Sequence, residues 1–165
     1  MADAQKITDL ETQLNDFDPS RRRTALEELA ALAGSGEIPL PPAGTNANIH
    51  MHSFLSYNAD GHSPSRLVWE ARKAGLFAAG IVEFDVLDGM DEFLAATDLM
   101  GIRATVGVES RVFVADYADK EINSPGEPGI AYQMGIGFYR KPARGSEAAG
   151  TLARMRSLAR ERNES

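Results

Sequence analysis

The chain has no cysteine, only three histidines and a single tryptophan in 165 residues. Without cysteine there is no disulfide framework, no thiolate metal site and no thiol nucleophile, which fits a reducing compartment. No apolar run reaches membrane-spanning length, and the opening Met1-Ala2-Asp3-Ala4-Gln5-Lys6 lacks a signal-peptide pattern. A cytoplasmic protein without a membrane partner is the expectation. A positive balance is also missing. The formal net charge of -7 argues against a nucleic-acid partner, because binding polyphosphate depends on Lys and Arg neutralising phosphates. The charge is uneven, with seven basic and three acidic residues from Arg140 onward, so a small phosphorylated substrate remains open. What is present suffices for one core: 43% of residues are hydrophobic, enough for a single domain with a small appendage.

Three segments are expected: amphipathic helices over residues 1–36, a linker over 37–46, and an α/β unit over 47–165. Ile7, Leu10, Leu14 and Phe17 recur at helical spacing. Asp18-Pro19 then restarts the pattern with a cap and a first-turn proline, and Ala25, Leu26, Leu29, Leu32 and Ala33 form an apolar stripe ended by Gly34-Ser35-Gly36. Arg21-Arg22-Arg23 reads as a solvated face. After the linker, strand and helix alternate. Residues 48–52 read as a strand, and Ser63-Pro64 caps a helix closed by Gly75. Residues 76–84 form an apolar run typical of a strand buried on both faces. Asp88 can cap the next helix, which Gly101 terminates. Residues 102–109 form a strand that 111–114 extends or follows, 116–129 a loop, and 130–138 a strand. The last 20 or so residues read as a helix with Leu152, Met155, Leu158 and Ala159 inward. Repeated βα units predict a parallel sheet or barrel with its site at the C-terminal strand ends.

The chemistry concentrates there. His50 and His52 stand at i, i+2, so on an extended strand both imidazoles share one face and can converge on one ion. Neutral imidazole suits zinc, manganese and iron. Asn58, Asp60 and His62 lie in the following turn and offer a further oxygen or nitrogen, although Asp60-Gly61 is equally a turn former. Glu83, Asp85 and Asp88 close the second buried strand, and Glu109 closes the third. A carboxylate there is costly to bury unless it is paired or metal-bound.

His50-Met51-His52-Ser53, Ser56, Asp60-Gly61, Ser63-Pro64, Ala71 and Ala74-Gly75-Leu76, in this order, resemble the opening of the PHP (polymerase and histidinol phosphatase) domain. Gly80-Ile81-Val82-Glu83-Phe84-Asp85 aligns with that family's Thr-Asp-His-Asp segment, and Val106-Gly107-Val108-Glu109 with its Gly-x-Glu. The resemblance covers residues 48–110. It implies a distorted (β/α) barrel, here partial and preceded by a short helical segment, holding divalent metal ions (Mn, Zn or Fe) that hydrolyse phosphoesters. By the same resemblance His50 and His52 ligate one metal, Glu109 bridges two, and Glu83 takes the place of an aspartate. The expected metal set is thus His50, His52, Glu83, Glu109 and Asp60, with Glu109 and Asp85 as catalytic carboxylates.

The chain departs from the pattern at named places. Asn48 replaces the opening aspartate, Phe84 stands where the family has a histidine ligand, the turn after Ser53 is longer, and no histidine follows His62. The sequence also ends in a helix before a seven-stranded barrel closes, so an open sheet edge is expected, covered by a missing C-terminal half or by self-association. Two readings follow: a divergent or incomplete metal-dependent phosphoesterase, and a non-catalytic PHP-like domain with a binding or assembly role.

Overall fold

The computed structural model describes residues 3–57 and 61–164. Helices α1 (Ala4–Gln13) and α2 (Pro19–Gly34) come first. Strand β1 (Ala47–Met51), helix α3 (Pro64–Lys73), strand β2 (Ala78–Phe84), helix α4 (Met90–Met100) and strand β3 (Arg103–Phe113) follow. A short 3-10 turn (Ala115–Tyr117), strand β4 (Ile130–Ile136) and helix α5 (Glu147–Glu164) complete the chain.

Local chemistry places the helix ends. The Asp18 carboxylate accepts from Ser20 N at 2.8 Å, with Pro19 in the first turn. Ser63 Oγ accepts from Arg66 N at 2.9 Å ahead of Pro64. Each cap satisfies a backbone N–H that has no partner inside its helix. Gly101, at φ 67°, closes α4 in the left-handed conformation expected of it. Asp88 does not cap α4. Gly89 holds that position without a side-chain bond, and the Asp88 carboxylate is taken by Arg156 of α5.

The four strands form one sheet in chain order, curled as a half-barrel. β1, β2 and β3 run parallel, as the βα alternation requires. β4 does not: it returns antiparallel beside β3. Parallel neighbours need a crossover long enough to carry the chain back, usually a helix, and the β3–β4 segment supplies only a loop and one 3-10 turn. β1 and β4 are both edges of this sheet, so the expected open edge is present among the described residues.

The two N-terminal helices lie over α3 and α4 and share their core. Leu14, Leu29, Val68, Trp69, Ile81, Met90 and Phe93 are fully buried in one cluster. Each such side chain contributes roughly 1.5–3 kcal/mol of burial. Two polar links cross the same boundary. Trp69 Nε1 and Lys73 Nζ both donate to Glu11, at 2.7 and 2.9 Å. Arg22, expected on a solvated face with Arg21 and Arg23, is only 3% exposed. Its guanidinium pairs with Glu92 of α4, which also accepts from Ser65 Oγ at 2.7 Å. Arg22 lies on the side of α2 that carries Ala25, Leu26 and Leu29, so helical phase wins over local charge. At the other end, Ala159 of α5 is buried, but Leu158 is 64% exposed rather than inward.

A candidate metal centre at the strand ends

Strand parity decides which side chains meet. Along the β2–β3 register, Ile81 pairs with Val106, Glu83 with Val108, Val82 with Gly107 and Phe84 with Glu109. Paired residues share a face, and alternate residues take opposite faces. Ile81 and Val106 belong to the helix-covered core. Val82, Phe84, Gly107 and Glu109 therefore lie on the opposite face, away from that core, where Val82, Gly107 and Glu109 are nonetheless buried.

β1 reaches that face through a bulge. Asn48 pairs with Ala79, but Met51 pairs with Ile81, so the strand carries one extra residue between them. Continued without the bulge, the upstream register would set His50 opposite Ile81, on the helix-covered side. With it, Met51 takes that side and packs against the core, while His50 and His52 turn to the face of Glu109. Two residues make the bulge fit. Asn48 Oδ1 accepts from His50 N at 3.2 Å. Gly80 leaves room for the displaced backbone, since a Cβ there would lie 2.8 Å from Ile49 O and 2.9 Å from Ile49 Cα.

The result is a compact donor group. His50 Nε2 lies 2.9 Å from Glu109 Oε2, and His52 Nε2 lies 3.6 Å from the same oxygen. One ligand atom from each of the three side chains falls within 4.8 Å of the others. Among the described residues this is the cluster of histidine and carboxylate donors that could hold a metal ion. His50 is the exposed member and Glu109 the buried one. Burial holds the His52 imidazole below its ordinary pKa, the neighbouring His50 acts in the same direction, and Glu109 opposes them. The balance favours the neutral imidazole, the form that ligates metals. Its Nδ1 is buried with no hydrogen-bonding partner among the described residues. The cluster itself is reached through the other ring nitrogen, Nε2, and two imidazole nitrogens with one carboxylate oxygen are a donor set that suits Zn, Mn or Fe. The residues present therefore fit a divalent ion.

The other expected site residues are placed differently. Glu83 stands on the helix-covered face, fully buried, with its carboxylate accepting from Ser53 Oγ at 2.6 Å and Ser53 N at 3.2 Å. Burial pushes its pKa up to about 7 against the lowering effect of the Ser53 and Ser56 hydrogen bonds. It anchors the turn that follows His52 and stands outside the donor group. Asp85 sits at φ 59°, with its N–H donating to Glu109 O at 2.9 Å and its carboxylate receiving Arg162 Nη2 at 3.3 Å. It braces β3 at Glu109, where the pairing with β2 ends, and is not a member of the donor group. Asp60 and Asn58 lie outside the described residues, while His62 meets Asn15 at 3.3 Å. Phe84 stacks flat on His52, with centroids 4.3 Å apart and planes 7° from parallel.

Sequence reasoning assigned no role to Ser53, Ser56 or Gly80. The Ser-x-x-Ser spacing after the His pair was visible; what it binds depends on a register that no local pattern displays.

No protein-family model matches the chain, and no curated protein matches it. Several solved structures are similar, among them the following two. An amidohydrolase from Chromobacterium violaceum, with bound sulfate and no metal, shares 22% identity at a TM-score of 0.53. That match covers 73% of this chain and 35% of the other, and shows the fold. A candidate metal-dependent phosphoesterase from Bifidobacterium adolescentis shares 30% identity at a TM-score of 0.40, over 46% of this chain and 26% of that one. The chain therefore spans about a third or less of the length of the solved chains it resembles.

Proposed function

We propose that this chain is a metal-dependent, phosphoesterase-like hydrolase domain of divergent PHP type, acting on a small phosphorylated substrate. The observation that carries the reading is the convergence of His50, His52 and Glu109 where β1 and the parallel pairing of β2 with β3 end, the side on which open α/β sheets hold their ligands. These three residues would hold a divalent ion, with Glu109 as the anionic ligand and the two imidazoles as neutral ones. Such an ion supplies positive charge for a phosphoryl group and acidifies water. The chain's own residues do the rest. Exposed His50 leaves the group open to substrate on one side, while Phe84 closes it with an apolar wall on the other. Asp85 and Arg162 fix the backbone of Glu109 from behind.

The test is metal analysis of purified protein, followed by a manganese-, zinc- or iron-dependent assay on p-nitrophenyl phosphate and its diester. Bound metal and metal-dependent hydrolysis, both lost in a His50→Ala/His52→Ala variant, are the expected results. Full metal retention in that variant would sink the site assignment. Metal binding without hydrolysis would favour a second reading, a non-catalytic domain for binding or assembly. That reading draws on the sheet face away from the helical core, where Met134 and Ile136 are 51% and 60% exposed.

A further inference from the structure

We infer that this centre holds a single ion, and that Phe84 is the residue that limits it to one; the inference rests on the metal-centre reading above. Glu109 has four neighbours on the face of the sheet away from the helical core. Across the parallel pairing stands Phe84, and across the antiparallel pairing Met134. Along β3 itself stand Gly107 and Arg111, two residues to either side. None of the four offers an imidazole or a carboxylate. Phe84 and Gly107 have no donor atom, and the Met134 thioether is a soft ligand unsuited to the hard ions that favour carboxylate. Arg111 is a cation whose guanidinium is held by Glu127 at 2.8 and 3.2 Å. Among the described residues, a second ion sharing Glu109 would thus meet apolar surface on β2 and, on β3, an arginine already paired with Glu127.

Phe84 does more than lack a donor. Its ring lies flat on His52 and has Tyr132 against it edge-on, with centroids 6.4 Å apart, so the space beside the His52 imidazole is filled from β2. Stacking of this kind fixes the plane of the imidazole. Among the described residues, one ion would therefore be held by three protein ligands, of which His50 is the exposed one. Three protein ligands are typical of catalytic metal sites, and four of structural ones.

The experiment is metal titration of the full chain with Mn(II) and Zn(II), by calorimetry and elemental analysis, plus electron paramagnetic resonance of the Mn(II) form. The expected results are one equivalent per chain and the spectrum of an isolated ion. In Phe84→His, whose new imidazole faces Glu109, affinity should rise about tenfold or more, or a second equivalent should bind, because outer-shell changes alone move metal affinity 10–100-fold. Phe84→Leu, the control for lost ring packing, should keep one equivalent with weakened affinity. Two or more equivalents in the unaltered chain, lost in His50→Ala/His52→Ala, would overturn the single-ion inference and leave the metal centre standing. No bound metal in the unaltered chain would overturn both. A folded Phe84→His protein that matches the unaltered chain in affinity and stoichiometry would overturn the role given to Phe84.

Discussion

Glu83 shows how far residue type and strand position can mislead when parity is hidden. An acid at the end of an apolar strand, beside a pair of histidines, has the composition of a ligand. Its neighbour Phe84 has the position of one. Only the pairing of Phe84 with Glu109 reveals the difference, and register is a tertiary fact. The His50–His52 pair was readable because i, i+2 on a strand implies one face wherever the register falls. Burial leaves Glu83 with a raised pKa of about 7, against an ordinary value of 4.5. Between those values the unfolded chain releases the proton while the folded chain keeps it, so stability falls as pH rises through that window and levels off above it. The span corresponds to roughly 3 kcal/mol at most. Thermal melts of Glu83→Gln, which keeps an acceptor for Ser53, should show a flatter dependence than the unaltered chain between about pH 4.5 and 7. Parallel curves would show that Glu83 does not titrate there.

At the scale of elements, punctuation was the most readable layer. Asp18-Pro19, Ser63-Pro64 and Gly101 mark helix ends because caps and left-handed glycines act locally. The direction of β4 was not readable from its own residues, since an apolar strand looks alike in either direction; the missing crossover was the available clue. The bulge in β1 was also invisible, because it exists only relative to β2. Gly80 is its counterpart. In Gly80→Ala the new Cβ would press on the Ile49 backbone and on Thr105 Cγ2, 2.5 Å away. A loss of about 1–3 kcal/mol is expected from overpacking. Metal affinity should fall with it, because relief requires β1 to move and β1 carries both imidazoles. Urea denaturation and metal titration on the same preparation measure the two effects. A destabilised protein with unchanged metal affinity would show that the bulge does not position the histidines.

For the whole molecule, the N-terminal helices form one body with the α/β layer. The amphipathic stripes of α1 and α2 were plain in the sequence, but their partner was not, and the break at residues 37–46 suggested a separate module. Arg22 tests their integration. In Arg22→Ala, Glu92 loses its buried cation while Ser65 still donates to it. Removing one partner of such a pair costs about 3 kcal/mol, to be measured as a lower urea midpoint. A midpoint within error of the unaltered chain would place α1 and α2 outside the cooperative unit. The same contact has a consequence for synthesis. Glu92 follows Arg22 by 70 residues, and Trp69 follows Glu11 by 58. Helices α1 and α2 thus leave a ribosome, with their apolar stripes uncovered, before the chain that buries them exists. A stripe that must wait for its cover is a surface prone to association, and the interval of exposure lasts until α4 has been translated.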